Sequence, residues 1–420
     1  MRTRLFKESG TLATGTVVGG LLAYGFFALA IRTLGASDAA PVSVLWTYWT
    51  MTAAILTFPL QHWTIRLLTR GDEGTLARSQ RRLWVGTAVV SVFSGLLAYV
   101  ARDVLFHDRT IAYPIMAAGV TAEAALSGLV RGALAGRGRF TATGVSMAAE
   151  NLVRVALGGV AAVAGGGAIA FGVVLVAGPL SGCFWLSSLR FDRSSGTGSI
   201  ASPLALASGL ATGSLIAQVV LMGGPVALAA LGGAPGQVTA LFVTLAVWRA
   251  PYLVALGVAP RLTPALTRMT VARDEQRLLR VRRWILLSVL GASAGAFLAG
   301  ATIFGPVLRV VFGTEIVLDW QTAALIGVGT AVAVGNLALL LLMLALGTSR
   351  PVNRAWLIAV AVVAAILVAV PTAPLDRVAT AFVAAQLTAF ALLLAAPLRG
   401  QQAPASSEAA DATIQTPLGT

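Results

Sequence analysis

Glu123-Ala-Ala-Leu-Ser127-Gly-Leu-Val-Arg131-Gly-Ala-Leu-Ala-Gly136-Arg137-Gly138-Arg139-Phe140, running on through Ser146 and Glu150 to Arg154, decides how the chain is read. Its two arms are apolar at helical spacing, and a basic glycine turn joins them. Each arm carries polar groups inside the apolar run. Ser146, Glu150 and Arg154 recur at i, i+4 and share one helix face, and Glu123, Ser127 and Arg131 nearly do. Ionisable groups within a membrane-spanning helix are expensive, so their presence marks a functional position.

Composition agrees that the arms cross a membrane. The chain has 420 residues, 57% hydrophobic and 11% charged, with a mean hydropathy of +0.85. A chain this apolar, broken at intervals by short arginine-bearing loops, is a polytopic helical membrane protein. The alternating segments of about ten residues that mark a membrane β-barrel are missing. The net charge is +14, nearly all of it arginine, with Lys7 the single lysine. In a soluble protein this would point to nucleic acid; here it reads as the arginine bias that orients loops. One cysteine, Cys183, allows no internal disulfide and no cysteine-built metal site. Met1-Arg-Thr-Arg and the apolar run after it read as an uncleaved first span.

Twelve spans fit the hydropathy: 11–32, 41–65, 83–101, 110–131, 141–163, 168–189, 203–229, 237–259, 284–304, 321–346, 354–371 and 376–398. With that count, 23 basic residues fall in loops on the side of the termini and 5 on the other, which predicts cytoplasmic termini in the plasma membrane. The expected organisation is a first six-helix lobe over 1–190, a cytoplasmic linker over 191–202, a second lobe over 203–398 and a disordered tail over 399–420. A shift of 201 residues brings Gly35 onto Gly236, Pro59 onto Pro260, Glu73 onto Asp274 and Arg81-Arg82 onto Arg282-Arg283. That is a parallel repeat, and transporters built this way place substrate between the halves near the midplane.

Small residues at helix-packing spacing predict close helix contacts at Gly15 and Gly19, at Gly128, Gly132 and Gly136, and at Gly291 and Gly295. No Walker-type glycine–lysine sequence is present, so ATP hydrolysis by that route is excluded. His62 and His107 are the only histidines. His107, in Asp103-Val-Leu-Phe-His-Asp108, reads as solvated loop polarity rather than a metal or acid–base site. No enzyme activity and no metal site are expected. The basic linker 261–283 is expected to lie on the anionic inner leaflet.

Depth sharpens the polar midline. At ~1.5 Å rise per residue, Glu123 lies roughly 12 Å and Glu150 roughly 14 Å from the membrane edge, with Arg154 a turn deeper. Two carboxylates beside one arginine cannot both ionise cheaply in a dry site. Glu123 and Glu150 are therefore candidates to couple a proton or Na+ to transport, and the competing reading is a charge-balanced clamp between helices. Arg249 lies roughly 17 Å deep, and Pro251 is expected to kink the helix just beyond it. Its planar fork suits a phosphate; the alternative is a pair with Glu123 or Glu150 across the halves. Arg154, Arg32, Gln218, Asn336 and Gln386 complete the candidate substrate-binding set. For the three amides, joining helices is the competing role, and for Arg32 it is snorkelling. Tyr24, Tyr48 and Trp49 line the cleft or face lipid.

Arg131-Gly-Ala-Leu-Ala-Gly-Arg-Gly-Arg-Phe140 with Glu150-Asn-Leu-Val-Arg154, Arg249-Ala-Pro251, Ala259-Pro-Arg-Leu-Thr-Pro264 and Leu34-Gly35 together resemble the Wzx-like polysaccharide-biosynthesis flippases of the multidrug/oligosaccharidyl-lipid/polysaccharide (MOP) exporter superfamily. The resemblance covers the whole chain. It implies an all-α integral membrane fold of two six-helix lobes, V-shaped and MATE-like, alternating between inward- and outward-open states. It implies a lipid-linked oligosaccharide or polysaccharide precursor as cargo. Arg131, Arg137 and Arg139 are then expected to touch lipid headgroups at the cytoplasmic face. Glycan-synthesis enzymes are the candidate protein partners. In this sequence Glu123 and Glu150 cancel Arg154 and Arg249, whereas such flippases should show a cation-rich cleft. That departure keeps a multidrug or organic-cation antiporter open, and also a non-transporting scaffold of a glycan-synthesis complex.

Overall fold

The computed structural model describes residues 2–193, 212–272, 274–313, 316, 318–346 and 348–398, and every regular element among them is helical. The first half runs α1 (Arg2–Asp38), α2 (Ala40–Thr52), a π turn (Ala53–Thr57), α3 (Phe58–Thr69), α4 (Glu73–Val100), α5 (Arg102–Leu105), α6 (Ala112–Gly136), α7 (Phe140–Val163), α8 (Ala168–Ala177) and a 3-10 segment (Gly178–Leu189). The second half runs α9 (Thr212–Met222), α10 (Gly224–Ala230), α11 (Pro235–Trp248), α12 (Ala250–Val271), α13 (Glu275–Thr302), α14 (Phe304–Phe312), α15 (Trp320–Ala345), α16 (Arg350–Ala369) and α17 (Pro374–Ala395). Most of the expected linker 191–202 and the tail 399–420 lie outside the described residues.

Among the described residues, nine helices are long and apolar enough to cross a membrane. Two further spans are bent pairs: α9 with α10, at 62°, and α11 with the start of α12, at 42°. The chain is a multi-pass helical membrane protein. The expected span 41–65 is a helical run in three pieces, α2, the π turn and α3. Its break has a local cause. Pro59 has no N–H to give, and one residue earlier the Phe58 N–H reaches back to the Ala53 carbonyl, an i→i−5 bond. Pro251 likewise follows the 42° bend at Arg249, as the sequence predicted.

The two halves start their long third spans alike. Asp72 accepts from Thr75 N–H at the head of α4, and Asp274 accepts from Arg277 N–H at the head of α13; both helices have 28 residues. The two caps pair Asp72 with Asp274, one residue away from the Glu73–Asp274 match of the sequence shift. The basic run 261–283 extends α12 to Val271 and opens α13 at Glu275.

In each half one helix is sheathed by its neighbours. α6 packs against α2, α3, α4 and the 3-10 segment, and α15 against α12, α13 and α17. α4 and α13 turn apolar side chains outward instead, among them Val89, Phe93 and Leu97, and Trp284, Leu290 and Leu298. An outward apolar face suits a helix solvated by lipid. The stripe Gly128, Gly132 and Gly136 lies on the π turn and α3, where an added Cβ at each would come within 2.7 Å of Thr57, Thr64 or Leu68. Gly15 meets the Gly144 backbone at the same distance. Gly291 and Gly295 break the expectation, because an added Cβ at either meets nothing within 4 Å. They lie on the open face of α13, and it is Gly300 that packs, against Ala324 of α15.

Candidate functional site

α6 and α7 are antiparallel across the Gly136–Arg139 turn, which closes because Gly138 takes φ 72° and Arg139 N–H returns to the Leu134 carbonyl. That geometry sets Glu123 level with Glu150, as their depths required. Arg154 is fully buried, and Glu150 is 2% exposed. Arg154 Nη2 lies 2.8 Å from Glu150 Oε1 and 3.8 Å from Glu123 Oε1. Its Nε donates to the Leu175 carbonyl at 3.1 Å and its Nη1 to Asn151 Oδ1 at 3.1 Å. The guanidinium also sits over the rings of Trp49, at 4.6 Å, and Trp46, at 5.3 Å. Gly178 makes room for it: a Cβ there would lie 2.6 Å from Arg154 Cγ and Nε.

Arg131 is the fourth member. Its Nη2 donates to Glu150 Oε2, so Glu150 is held between two guanidiniums. Glu123 is held more loosely. Trp49 Nε1 donates to its Oε1 at 2.8 Å, while its Oε2 is buried without a hydrogen-bond partner among the described residues. Two carboxylates and two guanidiniums make the cluster neutral without help from the second half.

Arg249 caps α11 at the bend and is 7% exposed. Neither carboxylate of the cluster pairs with it, and its Nε and Nη2 find no hydrogen-bond partner among the described residues. The alternative, a cross-half pair with Glu123 or Glu150, is not made among the described residues. Tyr24 of α1 donates its hydroxyl to the Ala246 carbonyl, one turn before Arg249 on α11. On α12, Tyr252 accepts from Gln218 Nε2 of α9 at 2.8 Å. An aromatic chain joins this region to the charge cluster: Phe242 of α11 to Phe27 at 4.4 Å, Phe27 to Trp46 at 4.4 Å, and Trp46 to Trp49 at 5.1 Å.

This arrangement of helices has relatives among solved structures. The chain superposes on an inward-facing multidrug resistance MATE family transporter of the MOP superfamily with a TM-score of 0.61, at 14% identity over 90% of this chain and 92% of the other. It superposes on the lipid II flippase MurJ in an inward closed conformation with a TM-score of 0.59, at 12% identity over 91% and 86%. The fold is that of the MATE and MurJ transporters. In sequence, no family model matches. An uncharacterized protein of Mycobacterium bovis is 28% identical over 355 residues, 79% of this chain and 80% of its own length. One of Mycobacterium tuberculosis is 30% identical over 285 residues, 65% and 62%.

Within the MATE and MurJ fold, the remaining candidates fall in different places. Asn336 and Gln386 are buried in the second half, where Asn336 Nδ2 donates to Gln386 Oε1 at 2.9 Å and to its carbonyl at 3.0 Å. They join α15 to α17, the helix-joining role. Arg32 is exposed and donates to the carbonyls of Val310 and Val311. Of the three expected headgroup contacts, Arg131 is turned inward to Glu150, since the α6 face that carries it is the one shared with Glu123. Arg137 is engaged with the Ser188 and Arg190 carbonyls, at 2.5 and 2.8 Å, and with Glu73 at 3.5 Å. Arg139 is exposed at the turn, and no side-chain bond of it is seen among the described residues. Tyr48 joins α2 to α4 and α6 through Ser94 and Thr121 rather than facing cleft or lipid.

Proposed function

We propose that the chain is a transporter that moves an anionic lipid-linked oligosaccharide or polysaccharide precursor between leaflets of the plasma membrane, from the cytoplasmic to the outer side, by alternating access. One observation carries the reading. The Glu123, Glu150, Arg131 and Arg154 cluster balances itself, and Arg249 is a buried cation with no ion-pair partner among the described residues. A buried cation needs an anion or water, and an arginine fork matches a pyrophosphate. The kinship of fold to a lipid II flippase is in keeping with this cargo. The likeness to multidrug transporters leaves an organic cation as the competitor, and an uncompensated arginine repels it.

In this reading Arg249 is the headgroup anchor. Tyr252, one turn after it on α12, and Gln218 of α9, bonded to Tyr252, contact the sugar. Glu123, with its unused Oε2, is the group that takes a proton or Na+, and Glu150 fixes the arginines around it. Both termini are cytoplasmic by the arginine bias. The test is reconstitution in liposomes with a fluorescent polyprenyl-pyrophosphate sugar. Transfer between leaflets is expected, and its loss in Arg249→Ala ties it to the site. No transfer by the unaltered protein overturns the proposal. Extrusion of organic cations instead would establish the antiporter. Neither activity, with glycan-synthesis enzymes co-purifying, would establish the scaffold.

A further inference from the structure

Besides Tyr24, two side chains of the first half bond to the second among the described residues, Arg32 and His107, both at the membrane side opposite the Gly136–Arg139 turn. Arg32, near the end of α1, donates through Nε to the Val311 carbonyl at 2.9 Å and through Nη2 to that of Val310. His107, in the loop after α5, places Nε2 3.0 Å from the Gly233 carbonyl. The receiving ends are built alike. Gly313 ends α14 at φ 105°, and Val310 and Val311 lie in the last turn before it, where helix carbonyls run out of i+4 donors. Gly232, at φ 77°, ends α10, and the turn returns Gly233 N–H to the Leu228 carbonyl at 2.9 Å. A helix C-terminus carries partial negative charge and attracts a guanidinium.

The His107 contact is maintained against a backbone cost. His107 is the one non-glycine residue at positive φ, 53°, among the described residues. Such conformations persist where the surroundings over-determine them. Arg109 to Asp103, 3.3 Å, and Thr110 N–H to Asp108 Oδ1, 2.9 Å, brace the same loop. On the other membrane side α3 packs against α4, α6 and the π turn of its own half, and α12 against α11, α13 and α15 of its own.

We propose that Arg32 and His107 form a two-point clasp that holds the halves shut on this side, and that its release is the step that opens the cleft there. Both contacts are side chain to backbone carbonyl, so they can part without stranding a buried charge. The inference rests on the transporter reading for its purpose, and its test does not need the cargo.

Paired spin labels in a Cys183→Ser background report the opening directly. Thr110→Cys with Ala234→Cys reads the clasped side, and Thr69→Cys with Ala272→Cys reads the other. Adding Arg32→Ala and His107→Ala should raise the ratio of long to short distances for the first pair on the order of tenfold, the weight of a charge-assisted hydrogen bond. The second pair should shorten in step. Arg32→Lys, which keeps the charge but loses the fork, should fall between. A first pair that stays short in all variants, in protein that still gives a monodisperse peak, overturns the clasp. Loosening of the first pair with no answering change in the second also overturns it, because that is local fraying. If the distances move as expected but no lipid is transferred, the clasp stands and the flippase reading falls.

Discussion

Arg131 of α6 donates to Glu150 of α7, and with this contact the cluster of Glu123, Glu150, Arg131 and Arg154 holds equal numbers of acidic and basic groups. It settles what Glu150 is: both its oxygens face arginines, one each from Arg131 and Arg154. Breaking such a set by removing one member leaves an uncompensated charge in a dry site, which costs about 3 kcal/mol or more. Arg131→Ala should therefore lower the unfolding midpoint of the detergent-solubilised protein clearly. Arg131→Met combined with Glu150→Gln should recover most of the loss. A single variant as stable as the parent would contradict the buried pairing.

Glu123 and Glu150 should separate in function. Glu150→Gln is expected to behave as a stability variant with its ion dependence retained. Glu123→Gln removes the carboxylate with the unused buried oxygen and should leave the fold intact while flattening the dependence of transport on proton or Na+ gradients. Transport in liposomes under imposed gradients measures both. Unchanged ion dependence in both variants would end the coupling role and leave a clamp.

The parts legible in the sequence were those set by period and by single-residue chemistry. Apolar runs gave the spans, Pro251 the bend at Arg249, and the i, i+4 spacing of Glu150 and Arg154 their pairing. Arg131 escaped because it lies at the end of its span beside Arg137 and Arg139, where loop position and headgroup contact explain an arginine equally well. Only the crossing of α6 and α7 shows that it reaches Glu150. Gly291 and Gly295 misled for the converse reason: glycine spacing permits close approach but does not say which face a neighbour occupies. The cross-half contact of Arg32 involves backbone carbonyls, which leave no trace in side-chain pattern.

Gly178 offers a check on the cluster that touches none of its charges. An added methyl would sit 2.6 Å from Arg154 Cγ and Nε, and these atoms are pinned by Leu175, Asn151 and two tryptophan rings. Gly178→Ala should cost about 1–3 kcal/mol, the usual range for overpacking. Gly182→Ala, in the same 3-10 segment with nothing within 4 Å, should be close to neutral. Equal thermal stability of the two variants would mean that Arg154 is not fixed where the geometry puts it.

The amides of the second half provide the last test, because joining helices and binding sugar make opposite demands. Asn336 and Gln386 are 4% and 1% exposed and bonded to each other, whereas Gln218 is half-buried and bonded to Tyr252 beside Arg249. Asn336→Leu with Gln386→Leu replaces a buried polar pair by apolar groups, a change that can be nearly neutral when both partners go. Either single replacement strands an amide and should cost about 1–3 kcal/mol. None of these variants should change the apparent affinity for a polyprenyl-pyrophosphate sugar. Gln218→Leu should weaken that affinity and also cost about 1–3 kcal/mol, because it strands the buried Tyr252 hydroxyl. Affinity lost in the Asn336 or Gln386 variants and kept in Gln218→Leu would move the sugar site away from the bend at Arg249 and into the second half's core.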